Sequence, residues 1–205
     1  MSQIKLKHSG GNSVIIAAPD SNPASDRTLK LPSDGDGTII SSNSHKPIVN
    51  YAQTVKTDTF SQSSVAAGSQ TGDAIFLDYA ATASTNKLLV SCSLCVGASN
   101  VNGTYRLSCF FVIGGVIQSA FRGDTASGRK TVFLSGSSPE SYAMANLAGS
   151  ALISSPSTSS TRYSYRLIHG NDNPSNVYLN RTENDNDANY MHRAVSTITI
   201  MEIAP

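Results

Sequence analysis

Alternation at period two constrains this chain more than any other feature. "KLLVSCSLCVG" (Lys87 to Gly97) puts Leu88, Val90, Cys92, Leu94 and Val96 on one face. "GTYRLSCFFVIGGVIQSAFRG" (Gly103 to Gly123) does the same with Tyr105, Leu107, Cys109, Phe111 and Ile113, until Gly114-Gly115 breaks it. Successive strand side chains point to opposite faces, so this spacing describes strands with a buried face, not helices. "AIFLDYA" (Ala74 to Ala80), "RKTVFLSGS" (Arg129 to Ser137), "RYSYRLIHG" (Arg162 to Gly170), "NVYLNRT" (Asn176 to Thr182) and "RAVSTITIMEIAP" (Arg193 to Pro205) read alike. Many short strands joined by polar turns predict an all-β chain, an antiparallel, jelly-roll-like β-sandwich.

Val49 to Ser61 reads as one strand, and Ser61 to Asp73 as a flexible Ser/Gly/Ala stretch. "SYAMANLAGSALISS" (Ser141 to Ser155) is two-sided. Ala, Met and Leu favour helix, but Gly149 and the lack of charges oppose one, and a strand is expected. In the last strand Val195, Met201 and Ile203 share one face and Ile198 and Ile200 the other. Apolar residues on both faces predict one packed within the sandwich and one against a neighbouring subunit.

The first 45 residues form a separate unit, with the sandwich body at 46–205. "IKLK" (Ile4 to Lys7), the turn "GGN" (Gly10 to Asn12) and "SVIIAA" (Ser13 to Ala18) predict a hairpin. "RTLKL" (Arg27 to Leu31) and "TII" (Thr38 to Ile40) add short strands, and "SSNSHKP" (Ser41 to Pro47) reads as a linker. So few large side chains cannot bury enough surface alone. The unit is expected to gain stability by packing against copies of itself.

Composition excludes several functions. Charged residues are 14% of the chain and the net charge is +1, which argues against nucleic acid, where many phosphates must be neutralised. No apolar run is long enough to cross a bilayer. Lys5, Lys7 and His8 interrupt any signal-peptide core. Cys92, Cys95 and Cys109 are odd in number, and Cys92 and Cys95, three apart on a strand, face opposite ways. Reduced core thiols are expected, in keeping with a reducing cytoplasm.

Catalytic signatures are missing: no GxSxG, HExxH, phosphate loop or dinucleotide fingerprint occurs, and an enzyme is not expected. The histidines (His8, His45, His169, His192) are scattered and read as surface or partly buried. In "RTENDNDAN" (Arg181 to Asn189), Glu183, Asp185 and Asp187 alternate, with Asn184 between. Oxygen ligands at this spacing suit calcium, but a solvated Asn/Asp-rich loop explains the same letters better. Asp34 and Asp36 are weighed alike. No cofactor is expected. Tyr105, Tyr163, Tyr165, Tyr178 and Tyr190 could stack on sugars, though sheet packing is the commoner use. The loops 155–161, 170–175 and 182–189 are the least explained by packing. Asn184, Asp185, Asp187 and Tyr190 are the residues there suited to a glycan or ion. The alternative is that Arg181 or Arg193 pairs with those carboxylates.

Two stretches also carry a resemblance. Ile4 to Ile39 holds Lys7-His8-Ser9-Gly10-Gly11-Asn12, Ala18-Pro19, Asn22-Pro23, Asp26-Arg27-Thr28-Leu29, Leu31-Pro32 and Asp36-Gly37. It resembles a module that opens many tail-fibre-like and other virion structural proteins of marine bacteriophages. Tyr178 to Ile203, with Asn180-Arg181, Asp187, Arg193, Ser196-Thr197-Ile198-Thr199 and Glu202-Ile203, resembles the end of such proteins. The resemblance covers roughly a third of the chain. It implies a non-enzymatic homotrimer, assembled in the host cytoplasm into a virion. Its partners would be itself, other tail or capsid proteins, and host surface glycan. A short tail fibre is the first reading, a capsid decoration protein the second, and a glycan depolymerase on a fibre tip the third.

Overall fold

The computed structural model describes residues 3–7, 9–11, 13–17, 48–66, 68–99, 105–125, 127–128, 130–138, 140–169, 174–189 and 191–205. The expected strands Arg27 to Leu31 and Thr38 to Ile40, the linker and the boundary at 45/46 lie outside them. So do His8, His45, Asp34, Asp36 and Tyr190. The chain divides into two compact units, Met1–Ser41 and Ser42–Pro205.

In the first unit β1 (Gln3–Lys7) and β2 (Ser13–Ala17) form an antiparallel hairpin with Lys7 opposite Ser13. Gly11 in its turn has φ of 97°, a conformation glycine adopts without a Cβ clash.

The second unit contains β3 (Ile48–Lys56), β4 (Phe60–Val65), β5 (Gln70–Tyr79), β6 (Lys87–Ala98), β7 (Tyr105–Ile113), β8 (Val116–Ile117), β9 (Leu134–Ser138), β10 (Ala145–Ser154), β11 (Thr161–His169), β12 (Ser175–Leu179) and β13 (Ser196–Ile203). Eight of these strands nest. β3 pairs with β13, β5 with β11, β6 with β10 and β7 with β9, all antiparallel. The chain is thus a long doubled ribbon. Rolled up, it gives one sheet ordered β3-β13-β6-β10 and a second ordered β5-β11-β7-β9. That is an eight-stranded jelly roll, the sandwich the alternation predicts. The short pair β4 and β12 lies end-on to β3 and β13 along the same edge of β6.

The core lies between the sheets. Leu88, Val90, Cys92, Leu94 and Val96 of β6 are all buried there, opposite Leu107, Cys109 and Phe111 of β7. Phe111, Phe121, Phe133 and Tyr165 form an aromatic cluster with ring centroids 5.3–5.9 Å apart. Aromatic pairs at such distances add to the area they bury. Cys95 faces away from Cys92 and is half-buried, and all three thiols are free. Burial pushes the Cys92 thiol up to about 11.

Of Ser141 to Ser155, Ala145–Ser154 does form a strand. β6 supplies a ten-residue ladder, and that tertiary pairing outweighs helix propensity. Gly149 fits because the Leu134 side chain of β9 lies 2.8 Å from where a Cβ would stand. Reciprocally, Leu147 reaches 2.9 Å from the Cβ position of Gly136. Each leucine thus seats on a glycine of the facing strand at this corner.

Three expectations need correction. Residues 49–61 are two strands, because the Asn180 side-chain amide donates to the Lys56 and Asp58 carbonyls (2.8 and 2.9 Å) and holds a break between them. Residues 61–73 are largely strand: β12 holds β4, with Leu179 opposite Phe60, and β5 begins at Gln70. A Ser-rich segment with weak propensity is extended by its partner. In 129–137 the strand starts only at Leu134.

Candidate functional site

Loop 180–193, where the sequence concentrates its acids and amides, crosses the outer face of the first sheet. Asn180 begins it in a left-handed conformation (φ 64°) and is fully buried. Its N–H donates to the Cys95 carbonyl (2.8 Å), its carbonyl accepts from the Ala194 N–H (3.1 Å), and its side-chain oxygen accepts from the Ser196 hydroxyl. Every polar group of Asn180 is satisfied, so this residue splices β12 to β13 as a structural node. Arg181 then passes over Gly97. A Cβ at Gly97 would stand 2.5 Å from the Arg181 carbonyl oxygen, so a glycine is needed there. The loop's far side docks on Ser141, whose carbonyl accepts from the Glu183 N–H (3.1 Å) and whose hydroxyl accepts from the Asn184 side chain (3.2 Å).

Asp185 organises the loop. Arg193 donates to both its oxygens, Nε at 3.1 Å and Nη2 at 2.6 Å, and Arg181 Nη1 donates at 3.0 Å. Hydrogen bonding from Arg193, reinforced by Arg181, holds the carboxyl below its ordinary range against the opposing effect of burial. The Arg181 guanidinium also lies over the Tyr178 ring, 4.3 Å from its centroid, a cation–π contact. Beside the clamp is a hollow of about 260 Å³, lined by Asp185, Asn186, Asp187, Ala188, Met191 and Arg193. Among the described residues no three Asp, Glu, His or Cys side chains gather to hold a metal. Glu183, Asp185 and Asp187 are thus not gathered into one such group. Of the proposed binding residues, Asn184 braces the loop, Asp185 clamps it and Asp187 lines the hollow.

A second cleft, of about 290 Å³, lies between the β3–β4 turn and β5. Phe60, Ile75 and Phe76 wall it. Its charges are paired: Lys56 with Asp58 (2.6 Å) and Asp73 with Arg166 (2.7 Å).

The most demanding polar residue lies elsewhere. Glu202 of β13 is fully buried. The Tyr79 hydroxyl donates to one oxygen (2.6 Å). The Thr82 N–H (2.8 Å), the Thr82 hydroxyl (2.7 Å) and the Asn86 amide (2.6 Å) donate to the other. Burial alone would raise its pKa, but these four neutral donors outweigh it and bring the group to about 2. The network ties the β5–β6 turn to the last strand. Glu202 falls on the same strand face as Ile198 and Ile200, the face that the structure turns into the core.

The other candidates are mostly interior. Tyr163 and Tyr165 are buried, and Tyr178 lies beneath Arg181. None of the three presents a ring to a sugar. His169 corrects the expectation of surface or partly buried histidines. It is fully buried, with Nε2 hydrogen-bonded to the Val65 carbonyl, because β11 runs inward-facing to its last residue. His192 is exposed.

No protein-family model matches the chain, and no curated protein does. Among solved structures it is similar to the VP2 subviral particle of infectious bursal disease virus, at 12% identity and a TM-score of 0.34, over 94% of this chain and 47% of that one. The Gx strain of the same virus gives 15% identity and a TM-score of 0.24, over 95% and 47%. T=1 particles derived from it give 14% and 0.23, over 94% and 49%. The chain spans about half the length of the chains it matches.

Proposed function

We propose that this chain is a non-enzymatic structural protein of a bacteriophage virion. In this reading it is a short homotrimeric fibre or fibre-like appendage, attached through its N-terminal unit, with the jelly roll presented outward for host contact. The observation that carries the reading is the nested eight-strand topology. Jelly rolls recur in capsid and lectin domains, so the support is an analogy of architecture. The polar clusters agree with it. The carboxylates of Asp185, Asp73 and Glu202 are each engaged by groups of the fold itself. The resemblance of both ends to tail-fibre-like and other virion structural proteins of phages supports the virion reading, and imaging separates tail from shell.

Imaging intact particles with a gold-tagged antibody, together with copy number, tests the location. Label at the tail and a few to a few dozen copies are expected. Hundreds of copies over the shell would give a decoration protein instead. Release of reducing ends from host polysaccharide would overturn the non-enzymatic part. Host contact is tested at Asn186 and Asp187, which line the hollow. Replacing both by Ala should weaken attachment while the oligomer persists. A dissociated particle protein would assign the loop to assembly.

A further inference from the structure

The two broad outer faces of the sandwich are finished differently. On the second sheet Phe110, Val112 and Ile168 are covered by Ile117 and Val132 of the segment that follows β7. The rest of that face carries the pairs Arg162–Asp78 and Arg166–Asp73. Among the described residues of the second unit, the first sheet has no such cover beyond the loop at one end. Its register aligns Val55–Thr197–Ser93–Ala148, then Gln53–Thr199–Ser91–Ser150, then Tyr51–Met201–Leu89–Leu152. The third row is apolar across all four strands. Tyr51 and Leu152 at its two ends are 52% and 49% exposed. Ile203 and the exposed Ile48 continue the apolar surface below it, and Lys87, at that rim, is the sole charge among the aligned positions.

We infer that this face, the outer side of β3-β13-β6-β10, is where the body packs against a second copy of the same chain. Charge matching selects that occupant. A neutral surface leaves any opposing charge desolvated and unpaired, so the partner must be neutral as well. The equivalent face of another copy is neutral and brings its own Tyr51 and Leu152 as anchors, whereas the other broad face is charged. The size also fits. Four strands about 4.8 Å apart and three to four outward residues per strand give roughly 400 Å² of flat sheet. That suits the core of an interface of about 800 Å² per partner, which Ile48 and Val49 on the flank would extend. The inference rests on the reading above that the chain self-associates, and not on its trimer: like face against like face closes a twofold pair, so this contact joins two bodies in addition to what the N-terminal unit joins.

The test is the mass of the full chain in solution, by light scattering, for the wild type, for Tyr51→Glu/Leu152→Glu, and for Val116→Glu as a control on an exposed turn. The double variant should fall to or toward the 21.5 kDa of one chain with an unchanged far-ultraviolet spectrum, while the control keeps the wild-type mass. A monomeric wild type would overturn both this inference and the oligomeric reading. An unchanged mass in the double variant would overturn this inference and leave the oligomeric reading standing. If the double variant does not fold, hydroxyl-radical footprinting of the wild type decides. Tyr51 should be oxidised severalfold more slowly than the exposed Tyr142, and equal rates would overturn the inference.

Discussion

Asp185 and Glu202 are both carboxylates that hold a loop against the first sheet, and they do so under opposite conditions. Asp185 is partly exposed and gathers two arginines. Glu202 is buried and gathers a tyrosine, a threonine and an asparagine, none of them charged. At a surface, water competes for the ions and the pair is worth little. In the interior, each donor left without its acceptor keeps its full desolvation cost. The acid that looks functional in the sequence is therefore the lesser contributor to stability. The greater one stands in a strand, framed by isoleucines.

Glu202→Ala is expected to have the largest effect. It strands the Tyr79 hydroxyl, both Thr82 donors and the Asn86 amide, at a cost of about 3–5 kcal/mol. Chemical denaturation measures it, and a loss below about 1 kcal/mol would erase the contrast with Asp185.

Acid should reproduce much of that loss. The Glu202 carboxyl moves from 4.5 to about 2 on folding, so its folded-state pKa is depressed. The stabilisation is present above about 4.5 and is lost as pH falls through that value toward 2. The amount is on the order of 3 kcal/mol. Glu202→Gln should flatten the acid limb of a stability–pH curve, and an unaltered limb would assign the acid sensitivity to other carboxylates.

Gly97→Val comes next. Its side chain enters the space of the Arg181 carbonyl and must displace the loop, costing about 1–3 kcal/mol by thermal melting. Faster proteolysis within residues 181–193 should accompany it.

Asp185→Ala should cost least, about 1 kcal/mol or below, and less still at high salt, because the partly exposed pairs are screened. A cost equal to that of Glu202→Ala would show that loop 180–193 is buried in the assembled protein.

Much of this architecture is legible in the sequence because alternation reports burial directly. The inward faces of β6 and β7 follow from Leu88 through Val96 and from Leu107 through Phe111. The opposed directions of Cys92 and Cys95 follow from the same period. The turns at Gly10-Gly11 and Gly114-Gly115 follow from glycine chemistry, and Gly11, Gly114 and Gly115 all have positive φ. At the candidate site the acids were visible, and so was the possibility that Arg181 or Arg193 pairs with them. That both arginines meet on Asp185 alone, while Asp187 lines the hollow, was not.

Where alternation is strong, as in β6 and β7, strand identity and strand face are local properties, set by the side chains along a few residues of extended backbone, and there the sequence by itself determined them. Partnership is not local. Phe60 to Val65 becomes β4 because β12 lies beside it, Ala145 to Ser154 becomes β10 because β6 offers a ladder, and Glu202 can stay ionised in the core because Tyr79, Thr82 and Asn86 arrive from more than a hundred residues away. Backbone hydrogen bonds and buried charges are satisfied only by groups that the folded chain brings within about 3 Å. Which groups those are was decided by the nesting of the eight strands, and only the tertiary structure specifies that.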